Sequence, residues 1–402
     1  MSLLVVSVIA VVALALLFDF SNGSNDAANS IATVVATRAL SPRKAVWFAA
    51  LMNFAAYFIA GTPVATTIAK TVNMKEIGGS TNNNTVVALV FAALFAAIAW
   101  NFLVWFFGMP SSSSHALIGG LVGAGLAAGG TAAISWKAVR KVLIAIVASP
   151  AVAFTIAVIA TGLVIGFQKL TKLDDHAAPF KYGQLLSAAA VSVGHGANDA
   201  QKTMGIITAL MVGTGVGSVA MKNGNPVVPE WVALAAYTAI AFGTVWGGWR
   251  IIHTMGMKLT KLNAKTGVAA NIGATAAIFG ATAMGVPIST THAAASSVVG
   301  AGVAARRHTR WRVIGEMVAA WVITIPTTTA IGFILFKLTQ LAQPFNYVAD
   351  VVMVGLLLAA ITWAMLHRTT AHEIETEVME LDVLENDIAP VHGGKVAAVA
   401  AD

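Results

Sequence analysis

Nearly the whole chain is a succession of apolar runs. They fall at 3–20, 45–69, 85–107, 114–130, 138–167, 183–194, 203–218, 231–249, 267–284, 292–305, 312–337 and 347–366. A membrane-spanning helix needs about 20 mostly apolar residues, so the runs predict about eleven or twelve transmembrane segments. Backbone groups in lipid must be satisfied within the segment, and long unbroken runs do this as helices, not as the alternating strands of a barrel. Composition agrees, because only 10% of the 402 residues are charged against about 25% in soluble domains. The expected fold is all-α, a polytopic protein of the cell (cytoplasmic or inner) membrane. Several runs are short or interrupted by glycine, proline and polar residues, which predicts broken helices or re-entrant hairpins.

The first run, MSLLVVSVIAVVALALLF, lacks a basic leader and an obvious cleavage site, so it reads as a retained helix. The absence of cysteine excludes disulfides and thiolate metal sites. A net charge of +7 conceals an acidic tail: residues 368–402 hold eight acids against Arg368 and Lys395, and the preceding 367 residues hold 22 bases and 9 acids. Those bases sit in short loops, as topology signals do. They form no basic helix or arm, so no nucleic-acid partner is expected.

Two motifs recur in the same order. Gly23-Ser-Asn-Asp-Ala-Ala-Asn29 returns as Gly196-Ala-Asn-Asp-Ala-Gln-Lys202, 173 residues on. Gly108-Met-Pro-Ser-Ser-Ser-Ser-His115 returns as Gly285-Val-Pro-Ile-Ser-Thr-Thr-His292, 177 residues on. The chain therefore divides into an N-terminal repeat (1–167), a linker (168–182), a C-terminal repeat (183–337), an extra transmembrane segment (338–367) and the acidic tail (368–402). About five segments per half, and a positive bias that changes loops between halves, predict inverted repeats.

Asp26 and Asp199 occupy matched places in apolar surroundings. A carboxylate at membrane depth is expensive and marks an ion or substrate path. Asn22, Asn25 and Asn29 accompany the first and Asn198 the second, so carboxylate and amide oxygens predict a cage for a small alkali cation. Gly23 and Gly196 are expected to let the helix open there. Lys202 is the one base beside these acids, placed to neutralise Asp26 or Asp199 or to attract an anion. His195 and Glu316 have no matched partner and receive no role.

In the second motif, Pro110 or Pro287 is expected to end one helix, and Ser111–Ser114 or Ser289–Thr291 to begin the next. Serine and threonine cap helix N-termini, whose free N–H groups and positive dipole end bind anions. Two such termini, one per half, would hold an oxyanion between them. His115 and His292 close the motifs, with roles open between bonding substrate, relaying a proton and locking the hairpin.

These motifs resemble the paired signatures of the PiT-type inorganic phosphate transporter family, over residues 1 to about 337. The likeness is closest to prokaryotic members, whose second copy often runs Asn-Asp-x-Gln-Lys as at 198–202. The resemblance implies inverted repeats, inorganic phosphate as substrate, Na⁺ or H⁺ as driving ion, no cofactor and a homodimer. It implies that Ser112, Ser113, Ser114, Gln201, Ser289, Thr290 and Thr291 face phosphate. Asn25, Asp26, Asn198 and Asp199 would form or border the cation sites. Many animal members carry glutamates where this chain has Asn53 and Asn271, a departure that favours Na⁺ over H⁺.

Cation–phosphate symport by alternating access is thus expected, with the site between the repeats. Proton-coupled phosphate or sulfate symport is the alternative. An intramembrane hydrolase using Ser114, His115 and Asp26 or Asp199 is a distant third, since adjacent residues on a helix do not face each other.

Overall fold

The computed structural model describes residues 2–73, 77, 83–174, 177–366, 373 and 376; the predicted acidic tail lies almost wholly outside them. Thirteen α-helices occur among the described residues. They are α1 (Leu3–Ala36), α2 (Pro42–Ala55), α3 (Pro63–Ala69), α4 (Asn83–Phe106), α5 (Ser113–Gly129), α6 (Trp136–Thr171) and α7 (Ala178–Thr214). After a two-strand hairpin (β1, Met221–Lys222; β2, Asn225–Pro226) come α8 (Glu230–Trp246), α9 (Trp249–His253), α10 (Ala264–Ala283), α11 (Thr290–Ala304), α12 (Trp311–Thr339) and α13 (Phe345–Leu366).

Six of these helices are long and apolar enough to cross a membrane, and up to eight spans result if each of two bent pairs counts once. The bent pairs are α2 with α3, turning by 85°, and α8 with α9, turning by 68°. They supply the expected broken helices, one per half.

Three local expectations are corrected. The runs at 183–194 and 203–218 form one helix, α7, because the polar stretch between them is helical and buried. The linker is also shorter than expected: α6 continues to Thr171 and α7 starts at Ala178. Finally, α1 and α7 pass unbroken through the Asn-Asp motifs. Gly23 and Gly196 serve close packing instead. A Cβ on Gly23 would lie 2.2 Å from the Ile240 carbonyl oxygen, and one on Gly196 would lie 2.4 Å from that of Asn53.

The Gly-x-Pro breaks also differ in detail from expectation. Glycine, not proline, stops the helix. Gly108 and Gly285 both have φ +63°, the left-handed region that costs glycine no Cβ clash. Around each, two backbone bonds close the turn: Gly108 N to Trp105 O and Met109 N to Val104 O, and likewise Gly285 N to Thr282 O and Val286 N to Ala281 O. This is the Schellman pattern. The prolines follow and keep the chain from re-entering a helix.

Packing interlaces the halves. α1 lies against α8 and α7 against α2; α5 lies against α12 and α11 against α6. Each helix thus contacts the other half's counterpart. Two apolar cores result, and α1 and α7 run through both.

Candidate functional site

The buried polar residues of α1 and α7 meet where these helices cross. Asn22 donates to Asp199 Oδ2 at 3.1 Å. His195 Nε2 lies 3.8 Å from Asp26 Oδ2 and 3.5 Å from Asp199 Oδ2. Numbers rise along α1 as they fall along α7, so the helices cross antiparallel. The contacts are also reciprocal: Asn22 and His195 hold matched places 173 residues apart, as do Asp26 and Asp199. Lys202 Nζ pairs with Asp199 Oδ1 at 2.7 Å. All of these side chains are buried, and a buried ion pair holds only while both partners remain.

The N-terminus of α11 reaches the same point. Thr291 Oγ1 donates to Asp26 Oδ1 at 2.7 Å. Thr290 Oγ1 stands 3.2 Å from Asp26 Oδ2 and 3.2 Å from Asp199 Oδ2, bridging the two acids. Asn29 donates to Thr290 and Thr291 at 3.3 and 3.2 Å. Ser112 and Ser289 are the N-caps, accepting from the His115 and His292 amides at 3.2 and 3.1 Å. The helix starts fall where the hydroxyl motifs place them. Ser112→Ala or Ser289→Ala should each cost about 1 kcal/mol, read as a lower melting temperature of the detergent-solubilised protein.

The two halves use their hydroxyls differently. Ser114 Oγ donates to the Ile288 carbonyl at 2.6 Å, tying α5 to the opposite break. Ser113 is buried beside it. His115 and His292 meet edge to face at 4.4 Å, and His292 stacks on Trp321 at 3.8 Å. Trp321 Nε1 in turn donates to the Pro110 carbonyl. With Ser114 committed to a carbonyl and Asp26 to threonines, no nucleophile–base–orienter array forms, and the hydrolase reading falls.

Three expected residues take other positions. Asn25 donates to the Asn101 carbonyl at 3.2 Å. Asn198 donates to Thr282 Oγ1 and accepts from Ile288 N, so it braces the second break. Gln201 Oε1 accepts from Val64 N and Ala65 N at 2.8 and 3.3 Å, capping α3. Asn25 and Ser24 also line a cavity of about 150 Å³ with Asn101 and Trp246. Glu316 is exposed and pairs with Arg312.

Sequence reasoning missed three members. His195 was legible as the repeat partner of Asn22. Asn53 Oδ1 accepts from His195 Nδ1 at 3.1 Å and Asn53 Nδ2 donates to Thr244 at 2.8 Å; it was noticed only as a departure. Asp19, one turn before Asn22, is wholly buried and has no counterpart motif.

Asp26, His195 and Asp199 each offer one ligand atom, all within 4.8 Å of one another. Asn22 Oδ1 and Asn29 Oδ1 are buried acceptors with no hydrogen-bond partner. Carboxylate, hydroxyl and free amide oxygens suit a hard cation. Amide ends of α5 and α11 suit an oxyanion.

Known proteins similar over most of the chain are as follows. The sequence model described as Phosphate transporter family matches residues 22–173 and again 165–332. A probable low-affinity inorganic phosphate transporter of Rhizobium meliloti (strain 1021) is 45% identical over 331 residues, 82% of this chain and 95% of the relative. One of Bacillus subtilis (strain 168) is 41% identical over 337 residues, 84% and 98% respectively. A solved structure titled the sodium-dependent phosphate transporter superposes with a TM-score of 0.72 at 24% identity, covering 83% of this chain and 98% of that one.

Proposed function

This chain belongs to the phosphate transporter family, and we propose that it is a cation-coupled phosphate symporter in which Na⁺ frees the hydroxyls that receive phosphate. It is a multi-pass membrane transporter of phosphate and not an enzyme.

One observation carries the coupling. The hydroxyl protons of Thr290 and Thr291 are held by Asp26 and Asp199. Two acids against Lys202 also leave the crossing one negative charge in excess when His195 is neutral. Phosphate is therefore repelled, and its donors are occupied. Na⁺ between Asp26, Asp199, Asn22 Oδ1 and Asn29 Oδ1 removes both obstacles. The threonine hydroxyls then turn toward an anion held by the α5 and α11 amide ends. In a low-dielectric site the Coulomb attraction between the two ions favours this order.

Two halves, 1–167 and 183–337, move in this reading as inverted repeats about the crossing. The antiparallel passage of α1 past α7, which carry the same motif, supports inversion. The interlaced packing supports a movement in which α1 and α7 act as shared elements. Assembly as a homodimer in the cytoplasmic membrane completes the reading.

The test is uptake of labelled phosphate into liposomes holding the purified protein, under an inward Na⁺ gradient, an H⁺ gradient or neither. Concentrative uptake with Na⁺ alone, competed by arsenate and not by sulfate, is expected. Uptake driven only by H⁺ would keep the substrate and overturn sodium as the coupling ion. Competition by sulfate would widen the substrate to tetrahedral oxyanions generally.

A further inference from the structure

Trp321 of α12 touches both hydroxyl motifs at once. Its Nε1 donates to the Pro110 carbonyl at 3.1 Å, on the break before α5. Its ring stacks on that of His292, in the first turn of α11, at 3.8 Å and 27°. His115, in the first turn of α5, meets His292 edge-on at 4.4 Å. Both ring nitrogens of His115 and Nε2 of His292 are buried without hydrogen-bond partners, so ring contact orients the pair. One turn along α12, Thr324 Oγ1 lies 3.2 Å from Ser111 Oγ, to which Trp100 Nε1 also donates at 3.2 Å. Residues three apart on a helix are neighbours on its surface. One face of α12 therefore grips Pro110 and Ser111 together.

The other half has no such clamp. α6 and α12 both begin at a tryptophan, Trp136 and Trp311, an offset of 175 that falls between the two motif offsets. The same offset sets Ile146 against Trp321 and Ser149 against Thr324. Ile146 has no side-chain donor, and Ser149 Oγ is buried without a partner. A cavity of about 140 Å³, lined by Ser149, Gly280, Val286 and Ile288, lies between α6 and the break that precedes α11. The clamp is thus no by-product of the duplicated fold, because the matching helix packs on its own break without one.

Thr290 and Thr291 directly precede His292, and Ser112 to Ser114 follow Pro110 closely. An anion held between two helix starts takes its donor distances from the gap between them. Hydrogen bonds of about 2.7–3.2 Å leave that gap little slack. Trp321 spans it with one donor and one stacked face. We propose that Trp321 is a positioning residue for phosphate: it sets the gap between the starts of α5 and α11, and so sets how tightly phosphate is held. The inference rests on the anion site placed above between those two starts. Asp26 and Asp199 belong to α1 and α7, which this clamp does not join, so cation binding without phosphate does not depend on it.

The test separates KM from maximal rate for phosphate uptake by the full-length protein in liposomes, under whichever cation gradient drives it. Two replacements keep a ring for His292 and lose the N–H: Trp321→Phe, and 3-benzothienylalanine at position 321, which preserves the indole outline and hence the packing. Each should raise KM for phosphate by about 2- to 10-fold, the ratio that one neutral hydrogen bond carries. Maximal rate, and retention of radioactive Na⁺ without phosphate, should be unchanged. Trp321→Ala, which loses the stack as well, should raise KM further. A purely structural Trp321 would instead lower the maximal rate through loss of folded protein and leave KM alone, which overturns the proposal. So does an unaltered KM with the isosteric replacement. Thr290→Val tests the anion site separately. If it raises KM and the Trp321 replacements do not, the site stands and the positioning role falls. If Thr290→Val leaves KM unmoved, the anion does not sit at the start of α11, and both fall.

Discussion

Sodium-driven phosphate uptake is expected to fall by about 100-fold or more in Asp199→Asn, and to stay low when Lys202→Met is added. Removing one partner of a buried ion pair costs about 3–5 kcal/mol, a ratio of more than 100 in an equilibrium. Here the orphan is the Lys202 ammonium, 0% exposed. The single variant should therefore be unstable as well as inactive. The double variant removes the orphan charge, so its melting temperature should recover. In the unsubstituted protein Asp199 Oδ2 also receives Asn22, faces His195 and shares Thr290 with Asp26, and methionine at 202 does not restore the carboxylate to that position. Recovery of stability without transport assigns Asp199 to the cation. Recovery of Na⁺-dependent uptake in the double variant would reduce Asp199 to a counter-ion for Lys202 and sink its place in the cage. The measurement is paired: thermal melting in detergent, and uptake in liposomes on the same preparations.

Gly23→Ala and Gly196→Ala are expected to destabilise the folded protein by about 3 kcal/mol, at the upper end of the usual overpacking cost. The added methyl would meet a main-chain carbonyl oxygen, of Ile240 or of Asn53, inside 2.5 Å. A backbone cannot rotate away as a long side chain can, so α1 must part from α8, or α7 from α2. Gly162 provides the control. It is helical, and nothing lies within 4 Å of its Cβ position. Alanine there should stabilise by about 0.5–1 kcal/mol through helix propensity alone. Equal melting temperatures for Gly23→Ala and Gly162→Ala would refute the close-approach reading. Because α1 carries Asp26 on the turn after Gly23, the same variant should also lower uptake in whatever protein survives solubilisation.

The class of fold, the duplication and the two acids were legible for reasons that do not depend on tertiary structure. Lipid forbids unpaired backbone, so apolar runs of helical length can only be helices. Matched motifs mean matched halves, and helix starts at Ser112 and Ser289 follow from capping chemistry that is local to four residues. What terminates the helices before them was less legible. Proline is conspicuous in a sequence, but the turn is made by Gly108 and Gly285, where backbone conformation decides.

Other features depended on which helices meet. Asn22, Asn25, Asn29 and Asn198 look equivalent beside their aspartates, yet Asn22 meets a carboxylate and Asn29 the threonines that bridge the acids, while Asn25 and Asn198 brace other elements. Their separation reflects which side of a helix each occupies and what packs there. Gln201 became a cap on α3 because α3 begins against α7. Asp19 carries no motif and became notable only once both its oxygens were found buried without a partner.

By itself, then, the sequence determined the material: helices of membrane length, two copies of each polar motif, and carboxylates too costly to bury without use. Periodicity, capping and desolvation act within a few residues and can be read in one dimension. Only the tertiary structure decided that α1 and α7 stay unbroken, cross antiparallel and exchange partners across the halves. Those outcomes rest on contacts between residues from 91 to 265 positions apart, where a glycine against a carbonyl or a threonine between two acids has no local signature.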